Sequence, residues 1–66
     1  MQGRVKWFSP AKGFGFIETP TIADDIFVHH KNIIVDGYRK LNEGAAVSFR
    51  LVQNMKGFSA EEVKPL

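Results

Sequence analysis

Cysteine is absent from the 66 residues, so neither disulfides nor thiolate metal sites can staple the fold, and the chain suits a reducing compartment. No apolar run nears the roughly 18 residues of a membrane-spanning helix, and Met1-Gln2-Gly3-Arg4 does not open a secretory signal. The expectation is a soluble, complete, cytoplasmic protein with no membrane partner. Also missing are a phosphate-cradling Gly-x-x-x-x-Gly-Lys loop and any serine or cysteine nucleophile beside an evident base. His29-His30 with Asp24-Asp25 invites a metal or acid-base reading, but adjacent strand residues face opposite ways and no third ligand stands at a useful spacing. The expectation is therefore no enzyme, no cofactor, no metal and no small-molecule substrate. Excess charge is scarce too, since nine Lys and Arg against seven Asp and Glu leave only +2, too little to argue for nucleic acid by itself.

What the chain does hold is a hexapeptide, Lys12-Gly13-Phe14-Gly15-Phe16-Ile17. In an extended segment side chains alternate, so Phe14 and Phe16 share one face while Gly13, Gly15 and Ile17 take the other. Glycine is disfavoured in strand interiors and marks a bend or a surface that something approaches closely. Two rings beside a lysine suit a flat anionic polymer, because bases stack on aromatic faces whatever their identity while the cation meets phosphate. The charge distribution agrees: before Glu18 the only charged side chains are Arg4, Lys6 and Lys12, and most acids lie later, at Asp24, Asp25, Asp36, Glu43, Glu61 and Glu62.

A chain this short has room for one small domain, spanning 1–66, of marginal stability. Gly3 to Phe8 reads as a first strand in which Val5 alternates with Arg4 and Lys6, and the adjacent aromatics Trp7 and Phe8 cannot both face inward. Ser9-Pro10-Ala11 turns into a second strand from Lys12 to Thr19, ended by Pro20. Pro20 to Asp25 reads as a polar loop, and Ile26 to His29 as a short third strand. Most of His30 to Leu41 reads as a long loop, with one possible helical turn over Lys31 to Ile34. Ala46 to Gln53 alternates Val47, Phe49 and Leu51 against Ser48, Arg50 and Val52, the mark of a half-buried strand. After a turn at Asn54 to Gly57, Phe58 to Lys64 supplies a fifth strand with Ala60 and Val63 inward. Five short strands without a substantial helix must bury their apolar faces on each other. Closure into an all-β, five-stranded antiparallel barrel also removes exposed edges.

Lys6-Trp7-Phe8, the 12–17 hexapeptide, Asp25-Ile26-Phe27-Val28-His29 and the later Gly37-Tyr38, Leu41, Glu43-Gly44 and Val47-Ser48-Phe49 together resemble the cold-shock domain family in its stand-alone bacterial form, over the whole chain. The resemblance implies an OB-fold barrel, a monomer, that binds single-stranded DNA and RNA with little sequence preference and acts as an RNA chaperone keeping transcripts unfolded. By position it assigns stacking or base contact to Trp7, Phe14, Phe16, Phe27, His29, His30 and Tyr38, with Phe8 a lesser member. Lys6, Lys12 and Lys56 fall near phosphates, and Asp24 or Asp25 can accept from a base edge or cap a turn. The chain departs from the family pattern at His30, where phenylalanine is usual and a smaller, titratable ring now stands. It also departs around Pro20 to Asp24, longer by about one residue, and at Phe58, where a smaller residue or proline is common.

Two rivals are weighed against this reading. The RNA-recognition motif has a similar octapeptide, but it needs amphipathic helices that are not visible here, Thr19 stands where its last aromatic belongs, and its companion motif comes first. A protein-interaction module could use the same aromatic face as a hot-spot patch. For the phenylalanines the bland alternative is core packing. Ile17, Ile26 and Val28 already fill the inward face, so turning the rings inside would expose the aliphatics. Trp7 has the stronger bland alternative, a core anchor, but its neighbours Lys6 and the turn place it outside.

Overall fold

The computed structural model describes residues 1–37 and 39–66. Its strands are β1 (Gln2–Ser9), β2 (Phe14–Thr19), β3 (Ile22–His29), β4 (Ala46–Asn54) and β5 (Gly57–Pro65), with a 3-10 turn at His30–Asn32. They form a closed barrel in the order β1-β2-β3-β5-β4. This is the five-stranded barrel expected from the alternation. Its pairings are antiparallel except at β3 and β5, which run parallel through Ile26↔Phe58, Phe27↔Ser59 and Val28↔Ala60. That parallel seam lets a strand at the chain's end close a sheet begun by its first three.

The interior is mainly aliphatic, with Phe49 its one buried aromatic among the described residues. Val5, Ile17, Ile26, Val28, Val47 and Val63 are almost fully buried, joined by Ile33, Leu41, Phe49 and Ala60. Each of these side chains larger than that of Ala60 contributes about 1.5–3 kcal/mol by leaving water. Ile33 and Leu41 come from the connection between β3 and β4, which ties itself down through the Ile34 N–H donating to the Val63 carbonyl at 2.7 Å and the Gly44 N–H donating to Val5 at 2.7 Å. The buried Thr19 hydroxyl donates to the Gln2 carbonyl at 3.1 Å, which answers its own desolvation.

Strands β1, β4 and β5 run one residue past their expected ends, to Gln2 and Ser9, to Asn54, and to Gly57 and Pro65, and β2, β3 and the 3-10 turn differ as well. β2 starts at Phe14, because Lys12 and Gly13 belong to the turn, where Gly13 has a φ of 78°. The Pro20 to Asp25 loop is really a two-residue turn at Pro20 and Thr21 followed by β3 from Ile22. Polarity suggested a loop, but Thr19 pairs with Ile22 and the extra residues of β3 are absorbed as a bulge opposite Glu18, so their side chains face solvent while their backbone stays extended. Ala60 and Val63 are both inward, as expected, although three residues apart. A second bulge, with Glu62 at a φ of 52°, resets the alternation between them. Lys31 to Ile34 was the expected place of a single turn of helix, and the 3-10 turn lies one residue earlier.

Replacing Ile26 by alanine empties the centre of this core and is expected to cost about 2–5 kcal/mol. Urea unfolding followed by Trp7 fluorescence measures it; a loss below about 1 kcal/mol would show that the site collapses freely.

Candidate nucleic-acid interface

The pairing of β2 with β3 sets the site. Ile17 opposes Ile26 and Gly15 opposes Val28 on the inner face, which leaves Phe16 opposite Phe27 and Phe14 opposite His29 on the outer one. Trp7 needs a further step. Val5 is buried and opposes Ile17, so strict alternation would send Trp7 inward as well. A bulge between Val5 and Trp7 inserts Lys6 as an extra residue, and Trp7 then opposes Phe16 from the outside while Phe8 opposes Gly15 from the inside. Both Lys6 and Trp7 are exposed. The bulge is what brings the tryptophan to the phenylalanines.

The outcome is a continuous aromatic strip. Trp7 lies 5.6 Å from Phe14 and 5.4 Å from Phe16 between ring centroids, and Phe27 lies 5.8 Å from Phe14 and 5.9 Å from Phe16. The planes are tilted or edge-on to each other, as ring quadrupoles favour. Trp7 is 38% and Phe27 36% exposed, high values for large apolar side chains, and Phe14 and Phe16 are half-buried. Gly15 makes the close approach possible. A Cβ there would press on the Trp7 carbonyl oxygen and lie 2.7 Å from Phe8 Cα.

Phe8 leaves the site. It is half-buried and packs against the core, the necessary counterpart of Trp7 facing out. Lys6 stands beside the strip but is not unpaired: its Nζ lies 3.1 Å from Asp25 Oδ2. The two candidate contacts, lysine to phosphate and aspartate to base edge, thus begin as one ion pair. Both partners are close to half exposed, so the pair is weak and exchangeable. Asp24 is exposed on the same bulged stretch. Lys12 is exposed in the β1–β2 turn, with its N–H donating to Ser9 Oγ at 3.3 Å. Lys56 is exposed in the β4–β5 turn, at a cleft of about 440 Å³ that it shares with Phe27 and Phe58. Tyr38 lies outside the described residues.

The histidines close one end of the strip. His29 pairs with Phe14, and its Nδ1 accepts from the Lys31 N–H at 3.2 Å, capping the 3-10 turn and fixing the ring. The His30 ring lies 4.4 Å from that of His29 and against Gly13, where a Cβ would come within 2.6 Å of its Cδ2. Its pKa is pushed below the ordinary 6.5, first by desolvation and then by the neighbouring His29, Lys31 and Arg39. The titratable ring noted at position 30 therefore takes up its proton at lower pH than an ordinary imidazole in the free protein. Phe58, a departure from the family pattern, joins the strip's edge. Its place beside Phe27 follows from the parallel β3–β5 seam, which no local pattern announces.

The family model described as the 'Cold-shock' DNA-binding domain matches residues 1–66. The chain belongs to the cold-shock domain family. Among its relatives, the cold shock protein CapB of Pseudomonas syringae pv. tomato is 55% identical over 62 residues, 94% of this chain and 88% of that protein. The cold shock-like protein CspC of Bacillus cereus is 52% identical over 66 residues, the full length of both. In three dimensions this cold-shock domain superposes on the structure titled "drosophila Unr CSD456" with a TM-score of 0.81 at 23% identity, covering 98% of this chain but only 26% of that one. That likeness speaks for the fold alone.

A histidine whose folded pKa is depressed takes up its proton at higher pH in the unfolded chain, so stability is full above about 6.5 and falls as pH drops through the lower folded value. Urea midpoints at pH 7.5 and 5.5 should therefore differ more for the wild type than for His30→Phe. Identical differences in the two proteins would remove His30 as the cause.

Proposed function

We propose that this cold-shock domain binds single-stranded RNA and DNA with little sequence preference and works as an RNA chaperone that keeps transcripts unfolded. The observation that carries the reading is the cluster of Trp7, Phe14, Phe16 and Phe27, ring beside ring on the outer face of β1 to β3, with Lys6, Lys12 and Lys56 around it. A strand of about six nucleotides lies across it, bases on the rings and phosphates toward the lysines, within the range of one OB-fold. Incoming phosphate competes with Asp25 for Lys6, which frees the carboxylate to accept from a base edge. A base stacked on Phe16 cannot remain paired in a duplex, so binding selects melted strands and shifts hairpins toward the open form. That scheme needs no bond-making step and no ATP. The protein acts as a monomeric, single-domain binding module of the cytoplasm rather than as an enzyme.

An oligothymidine hexamer, single-stranded and then annealed to its complement, should quench Trp7 strongly in the first form and weakly in the second. The log-log salt slope should be about −2, from about −0.7 for each of three neutralised phosphates. Phe16→Ala and Phe27→Ala should keep the fold and each lower affinity at least about tenfold, in line with about 1–3 kcal/mol per stacked base. Unchanged affinity in both variants would refute the stacking platform. Absence of quenching by either form would instead point to a protein partner on the same face.

A further inference from the structure

At the histidine end of the strip, next to His30, opens a separate cleft of about 330 Å³, lined by Lys12 and Gly13 of the β1–β2 turn, His30 of the 3-10 turn, and Gly37 and Arg39 of the β3–β4 connection. Three segments distant in sequence thus bring a lysine, an imidazole and a guanidinium to one place. Lys31 and Lys40 are exposed next to His30 and Arg39 in the chain. The ion pairs found among the described residues join Lys6 to Asp25 and Arg50 to Glu61 and Glu62, so none of them engages these cations. Asp36, the sole carboxylate of residues 33–42, is not part of the lining. Among the described residues, the charged and titratable groups around His30 are Lys12 from the turn before β2, Arg39 from the long connection, and His29 and Lys31 from its own segment.

We propose that this cleft is a subsite for a phosphate monoester at one end of the bound strand. The proposal rests on the single-strand reading given above and adds to it a preference for a phosphorylated terminus. A terminal phosphate carries about −1.5 to −2 charges at pH 7 and three acceptor oxygens, whereas an internal diester carries one charge. Arg39 offers a planar fork of donors and Lys12 a compact ammonium, a pair suited to a dianion. Gly13 keeps the cleft accessible, since at its φ of 78° and without a Cβ the His30 ring can lie against the turn. A dianion here also reverses the electrostatics around His30, favouring the protonated ring that then donates to it.

Hexathymidylates bearing a hydroxyl at both ends, a 5′-phosphate, or a 3′-phosphate test the subsite, titrated against wild type and Arg39→Gln at pH 7 and low salt by Trp7 fluorescence. Because a strand crosses the face with one polarity, one phosphorylated end should tighten binding by about threefold to tenfold, the size of two or three exposed charge pairs. Arg39→Gln should abolish that gain while leaving the unphosphorylated hexamer within about twofold, and the His30 ring signals in NMR should titrate at higher pH with the favoured oligomer bound than in the free protein. Equal gains at both ends would mean diffuse attraction and overturn the proposal, as would no gain at either end. The same His30 response to inorganic phosphate at equal concentration would make the cleft a free-anion site and overturn the strand-end assignment. Failure of all three hexamers to bind would instead remove the single-strand reading, and the subsite with it.

Discussion

Ile17, Ile26 and Val28 pack into the barrel from neighbouring strands, and nearly everything on the outer face depends on that contact. With those side chains inward, strand alternation leaves Phe14, Phe16 and Phe27 no place but the surface. The rings cannot retreat into the core without exposing three aliphatics, a loss of several kcal/mol in a domain whose stability is marginal from size alone. The apolar surface is thus maintained by the core beneath it, and the same packing that stabilises the fold presents the aromatic face on which the proposed function rests.

Bulges then correct the pattern where alternation alone would fail. The one at Lys6 turns Trp7 outward and Phe8 inward, completing the strip on one side and the core on the other. The one around Glu62 lets Ala60 and Val63 both point inward. Bulges bend and twist a strand as well as shifting its phase, which is what a small closed barrel needs at its corners.

The strip is electrostatically graded. At the β1 side Lys6 is held by Asp25, whereas Lys12 and Arg39 line the cleft at His30 with no carboxylate among its described lining residues, and Lys31 follows His30 in the chain. On the proposed reading, a polyanion crossing the face would meet an exchangeable ion pair at one end and, among the described residues, a cluster of cations outside the ion pairs at the other. His30 belongs to this gradient: its depressed pKa records the desolvation of its ring first and then the positive field of His29, Lys31 and Arg39.

Local chemistry in the sequence was enough to determine five strands, their inward residues apart from Phe8, and the outward placement of Phe14, Phe16 and Phe27, because side-chain alternation and turn residues act over a few positions. It was enough also for the family, whose motifs are contiguous runs. The strand from Ile22 to Asp25 escaped it, since polar residues in an extended, bulged backbone look like a loop. The outward turn of Trp7 was inferred from its neighbours, but its cause, an extra residue at Lys6, exists only in the register between β1 and β2. Tertiary structure alone decided the parallel β3–β5 seam, the Lys6–Asp25 pair, the setting of Phe58 beside Phe27 and the meeting of Lys12, His30 and Arg39. Each of these joins residues far apart in the chain, and such distances are set by closure of the barrel rather than by any local preference of the residues that meet.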